Sequence, residues 1–188
     1  MTLEGRVQRL EDDGAIRTLK ARYLRCCDLR DPEGVRDTLA PVGAIIAYEG
    51  FPAFENRDSF VAVFAQMGCQ PGVYDIHHAT NGVISFESDN RATGLWSLHF
   101  QTIILANRSV TQMGVEYEDV YVKEHGRWWI AETRTRRTSF LGQVIGEDGT
   151  PNVFALGTGP ELFGDTELIG HSNAPINPQS DQPQIGVE

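Results

Sequence analysis

Apolar side chains recur every three or four positions over residues 15–29, where Ile16, Leu19, Tyr23 and Cys27 make one stripe, and that spacing predicts a helix. Asp12 or Asp13 caps its start in this reading, and Pro32 stops it. Residues 35–39 read as a second short helix, 43–48 as a first strand and 57–67 as a third helix, with Asp58 and Ser59 near its start. After residue 70 the period changes. Residues 76–86, 91–106, 110–123 and 127–140 are rich in Val, Ile, Thr, Trp and Phe with partial alternation, so four long strands are expected. Turn formers around Asp89, Asn107 and His125 separate them, which predicts an antiparallel meander. Helices first and strands after is an α+β order, with N-terminal helices packed on one face of a curved antiparallel sheet. Long strands twist and curl over such helices, and the result is a cone with a pocket inside.

The chain has 188 residues, of which 40% are hydrophobic and 22% charged, which fits one packed core and excludes disorder, collagen-like repeats and coiled coil. A formal charge of -10 sets the chain against nucleic acid and anionic membranes as partners. No apolar run approaches the roughly 20 residues of a bilayer span, and the first ten residues are charged, so neither export nor anchoring is expected. The charge is uneven: residues 142–188 hold seven acids and no Lys or Arg. Their glycines and prolines oppose regular structure, while Val153, Phe154, Leu156, Leu162, Phe163, Leu168 and Ile169 suit packing on the body or a neighbouring subunit. The chain therefore divides into a domain over 1–141 and an acidic tail over 142–188, fraying from about residue 170.

Cys26, Cys27 and Cys69 are odd in number and two are adjacent, which argues against a disulfide framework and for a reducing, cytoplasmic setting. The five histidines show no ligand spacing, and no dinucleotide fingerprint, P-loop, nucleophile elbow or zincin motif occurs, so no metal or cofactor is expected. Asp28 stands at the end of the first helix, five residues and about 140 degrees round from Tyr23 on the apolar stripe. It is either a solvated helix-end acid or the carboxylate partner of a base, a role for which Asp31 competes. His77 and His78 open a strand, and alternation sends one inward and the other outward. An inward histidine is either a packed, hydrogen-bonded residue or, paired with a carboxylate that orients its ring, a general base. Tyr48 and His99 are further pocket candidates, His99 equally readable as a satisfied sheet residue. Arg134, Arg136 and Arg137 form a basic strand segment that either meets an anionic or carbonyl group or pairs with the acidic tail. Trp96, Trp128 and Trp129 read as core or interface aromatics.

Three stretches in order, Ile16 to Tyr23 running on to Asp28, then His77-His78-Ala79-Thr80-Asn81, then Trp128-Trp129-Ile130-Ala131-Glu132, resemble the SnoaL-like branch of the nuclear transport factor 2-like (NTF2-like) superfamily. Relatives there include polyketide cyclases, scytalone dehydratase, bile acid 7-alpha-dehydratase and hexachlorocyclohexane dehydrochlorinase. The resemblance spans residues 16–140 and implies a cone-shaped α+β barrel, also called cystatin-like. It places Asp28 and His77 at the aspartate and histidine of a catalytic dyad, and Tyr23 at a pocket tyrosine of the bile acid dehydratase. Two departures stand out. Thr133 takes the place of the dehydrochlorinase's pocket arginine, with Arg134 pointing to the opposite face, and no second acid stands near Leu98 to Phe100, although His99 lies close to a second histidine of scytalone dehydratase. The implied activity is a cofactor-independent lyase or isomerase, dehydratase- or cyclase-like, acting on a small hydrophobic molecule. Two rivals are a small-ligand carrier and a structural small subunit of a ring-hydroxylating dioxygenase. A homodimer or homotrimer is expected through the outer face of the sheet.

Overall fold

The structure, a computed structural model, describes residues 2–158. Helix α1 spans Leu3–Asp28 and starts a dozen residues before the apolar stripe. Thr2 caps it, its hydroxyl accepting from the Gly5 N–H at 3.2 Å. Neither Asp12 nor Asp13 is a cap. Asp13 grips Arg17 one turn on at 2.6 Å, and Asp12 is buried, accepting from Lys123 Nζ at 2.7 Å and Trp128 Nε1 at 2.8 Å. Periodicity marks a helix only where it is packed, and the first turns of α1 carry exposed Leu3 and Leu10. Helix α2 (Pro32–Arg36) begins three residues earlier than expected, because Asp31 caps it through the Gly34 N–H and Pro32 fits its first turn, where no N–H is needed.

Strand β1 (Ile45–Tyr48) comes next, then helix α3 (Arg57–Met67), which has the expected range and takes its cap from Asn56. Strands β2 (Val73–Phe86), β3 (Arg91–Ile104), β4 (Ser109–Glu124) and β5 (Arg127–Ile145) form the expected meander. The sheet order is β1-β5-β4-β3-β2, and β1 pairs parallel with Glu132 to Thr135 of β5. Strand β6 (Pro151–Gly157) folds back on residues 140–145 of the same strand. Regular structure thus continues past Leu141, where composition predicted irregular chain. Gly149 turns at φ +84°, and Gly142 lets the Phe154 ring lie where a Cβ would meet it at 2.4 Å. Expectations for residues 159–188 lie outside the described residues. The sheet is curved and unclosed, and α1 lies against it: an α+β cone open at one end. Among the described residues no helix is long and apolar enough to cross a membrane.

Ile16, Leu19, Tyr23 and Leu24 of α1 are buried with Trp96, Leu98, Tyr117, Tyr121, Trp128 and Ile130 of the sheet. Each large side chain so buried contributes about 1.5–3 kcal/mol. A bulge between Thr80 and Val83 adds a residue to β2, with Asn81 at φ 54° and the Trp96 ring stacked where a Gly82 side chain would stand. Inward positions on β2 are odd before it and even after it, so His77 and Phe86 both face the concave side.

Candidate active site

The concave face holds a cavity of about 230 Å³, lined mostly by apolar side chains from α1, α3 and the sheet. Phe54, Phe60, Phe64, Leu98, Phe100, Met113 and Val115 supply that lining, and Asp75, His77, Thr135, Arg137, Glu49 and the phenols of Tyr23, Tyr48 and Tyr117 supply the polar groups. Strand β2 is an edge of the sheet, and the end of α1 packs beside it. There His77 donates its backbone N–H to Asp28 Oδ1 at 3.0 Å, and its ring Nδ1 lies 2.7 Å from the same oxygen. Two contacts to one carboxylate oxygen orient the ring, and in the neutral ring a hydrogen on Nδ1 pointing to Asp28 leaves Nε2 as the acceptor. The Phe100 ring, 4.8 Å away between centroids, packs against the imidazole. His78 is exposed on the other face, as alternation requires. Asp31 caps α2 and does not reach the dyad.

Tyr23 and Tyr48 both line the cavity and share a short hydroxyl contact, and Tyr48 meets the Tyr117 ring edge-on at 6.0 Å. Burial raises all three phenols well above the ordinary tyrosine value, so they are neutral donors. Burial likewise pushes the Cys27 thiol up, which leaves it unreactive. Among the described residues no group of three or more His, Cys, Asp or Glu side chains is placed to hold a metal ion.

Two placements correct the sequence reading. His99 is exposed on the outer face, opposite the cavity and beside its register partner His78, because odd positions of β3 point outward there. The last strand does bring an arginine to the cavity: Thr133 is buried on the inward face, Thr135 follows, and Arg137 comes next in the same alternation, before the bulge at Thr138, with its backbone N–H 2.6 Å from Glu49 Oε2. Counting in twos from Thr133 along β5 reaches Arg137, so alternation held the signal. Arg134 and Arg136 point outward, paired with Glu132 and Glu116. The same count back from His77 reaches Asp75, an acid at the cavity wall that sequence reasoning missed. Burial pushes its carboxyl above the ordinary carboxylate value and the Asp28 charge adds to this, while Thr102, His77 and Arg30 oppose it.

The family model for the SnoaL-like domain matches residues 8–134. The chain belongs to that family. Its fold is that of the NTF2-like superfamily, shared with solved structures at low identity. A scytalone dehydratase-like protein from Novosphingobium aromaticivorans matches at 18% identity and a TM-score of 0.66, over 84% of this chain and 97% of that one. A hexachlorocyclohexane dehydrochlorinase from Novosphingobium barchaimii matches at 18% identity and a TM-score of 0.65, over 82% and 99%. A protein of unknown function from Mycobacterium tuberculosis matches at 21% identity and a TM-score of 0.59, over 69% and 73%. In this chain the wall of the apolar cavity carries an imidazole held by a carboxylate.

Proposed function

We propose that this SnoaL-like chain is a cofactor-independent lyase or isomerase acting on a small apolar cyclic or polyketide-like molecule. His77 is the general base and Asp28 holds its ring. The observation that carries this reading is the 2.7 Å contact between His77 Nδ1 and Asp28 Oδ1 at the wall of an apolar cavity. Nε2 takes a proton from carbon beside a carbonyl, and the carboxylate behind the ring stabilises the imidazolium that forms. Of the hydrogen-bonded phenols Tyr23 and Tyr48, one donates to the oxygen on which charge develops while the other donates to its partner's hydroxyl, and an apolar lining strengthens both contacts. Arg137, whose guanidinium also lies 3.4 Å from Glu49 Oε1, puts a positive charge at the same space for an oxyanion or a departing anion. The names of the two Novosphingobium relatives, a dehydratase and a dehydrochlorinase, support elimination as the reaction class.

His77→Ala and Asp28→Asn are expected to fold like the parent and to lose about 10² to 10⁴-fold in turnover on cyclic β-hydroxy ketones. Unchanged rates would discard the dyad. The apolar lining favours one second reading, a carrier that holds a hydrophobic molecule without converting it, and tight binding with no turnover would select it. Self-association through the outer sheet face belongs to the same proposal, since Tyr74, Ile76, Val83 and Leu95 stand exposed there. Light scattering that finds a monomer would remove that part.

A further inference from the structure

Register brings two histidines together on the convex face of the sheet, away from the cavity. His78 of β2 and His99 of β3 are directly opposed and both exposed, and neither ring has a hydrogen-bond or ion-pair partner among the described residues. Side chains opposed across an antiparallel pair have Cβ atoms about 4.5–5.5 Å apart, close enough for two imidazoles to grip one metal ion. Their surroundings are unusual for a chain with 22% charged residues. Six outward register pairs run from Tyr74 and Ile103 to Ser85 and Thr93, and none contains a Lys, Arg, Asp or Glu. His78 and His99 are the third of the six. Exposed Ile76 lies to one side of them and exposed Val83 and Leu95 to the other. Outward charges stand instead on β4 and β5, where Glu116 pairs with Arg136 and Glu132 with Arg134.

Stable interfaces take about 20–30 residues a side, and six register pairs fall short of that. Alone, the patch holds a second copy weakly, against a formal charge of -10 on each chain. Twofold pairing is isologous, so the middle of the patch meets itself at the axis. Two imidazoles from each copy then converge. Facing sheets stack about 10 Å apart, which leaves a mid-plane that imidazoles from both sides reach. Zn²⁺ takes four ligands in a tetrahedron, imidazole nitrogens among them. We propose that His78 and His99 are half of a zinc site, completed by the same two residues of a second copy, so that the metal ties two sheets face to face. The inference rests on self-association through the outer face and is separate from the chemistry of the cavity. A bridging Zn²⁺ sets positive charge between two acidic chains and staples the edge strand β2 to β3, one residue from His77.

The test is sedimentation equilibrium of the full chain without a histidine tag, in EDTA and in Zn²⁺. The parent is compared with His78→Ala, His99→Ala and, as a control away from the patch, His125→Asn in the turn after β4. Pairing is expected in EDTA and becomes about 10²-fold tighter when Zn²⁺ stands about 100-fold above its dissociation constant, with one metal bound per two chains. Each patch variant loses that tightening, and His125→Asn keeps it. Tightening that survives His78→Ala or His99→Ala, or one Zn²⁺ bound per chain, would overturn the site. Pairing that zinc leaves unchanged overturns it too, while keeping the self-association. A chain that stays monomeric in both buffers removes the self-association reading and the bridge with it.

Discussion

Two carboxylates of this chain each meet a nitrogen across the packing of α1 on the sheet. Asp119 and Lys20 stand 2.8 Å apart with 0% and 1% of their side chains exposed, and Asp28 and His77 stand 2.7 Å apart with 31% and 14% exposed. The first pair is closed. Asp119 Oδ2 also accepts from Tyr121, whose oxygen accepts from Trp96 Nε1, and the Lys20 ammonium lies 3.5 Å from the Tyr117 ring centroid. Burial drives Lys20 below the ordinary lysine value, and Asp119 pulls it back. The second pair keeps one ring nitrogen uncommitted at the cavity. The same pairing is sealed in the core in one case and left with one atom open to the cavity in the other, and in the proposed mechanism that open atom is the base.

Lys20→Met gives the largest expected effect, because it strands Asp119 in the core: about 3–5 kcal/mol of stability is lost, measured as a shift in urea midpoint. Adding Asp119→Leu should restore most of it, since an apolar pair of similar volume packs without a stranded charge. A single variant as stable as the parent would break the contrast. Asp28→Asn should do the opposite, leaving the midpoint unchanged while deuterium exchange at the α-carbon of cyclohexanone falls by about 10²-fold.

Asp12 sharpens the comparison from the acid side. Burial alone would raise its carboxyl, yet hydrogen bonds from Lys123 and Trp128 and the Lys123 charge outweigh burial and hold it below the ordinary value. A depressed carboxylate contributes stability above its unfolded value of about 3.9, lost as pH falls through the lower folded value. The parent should thus weaken with acid in that window, and Asp12→Asn, about 1–3 kcal/mol less stable at neutral pH, should weaken less steeply there. Equal slopes in acid denaturation curves would count against the assignment. The smallest effect belongs to the surface: Arg136→Ala, which removes the outer contact to Glu116, should cost less than about 1 kcal/mol by the same measurement.

Much of the fold was legible because its signals are local. The range of α3 and the order of the four long strands follow from period and turn residues, whereas alternation left His77 and His78 open and the family resemblance chose His77. The start of α1 was not legible, since exposed turns carry no apolar stripe, and β6 was hidden by glycines and prolines that its turn uses. Asp75 and Arg137 were within reach of a count in twos from His77 and Thr133, since the bulges of β2 and β5 lie outside those short counts.

Sequence by itself determined an α+β chain with an amphipathic first helix ending in Asp28 and a strand presenting His77. Only the tertiary structure decided that these residues, 49 positions apart, meet at 2.7 Å, that Asp75 and Arg137 share their cavity, and that His99 does not. The physical reason is that alternation assigns a side chain to a face, whereas the curvature of the sheet and the seating of α1 on its edge choose which faces enclose one space.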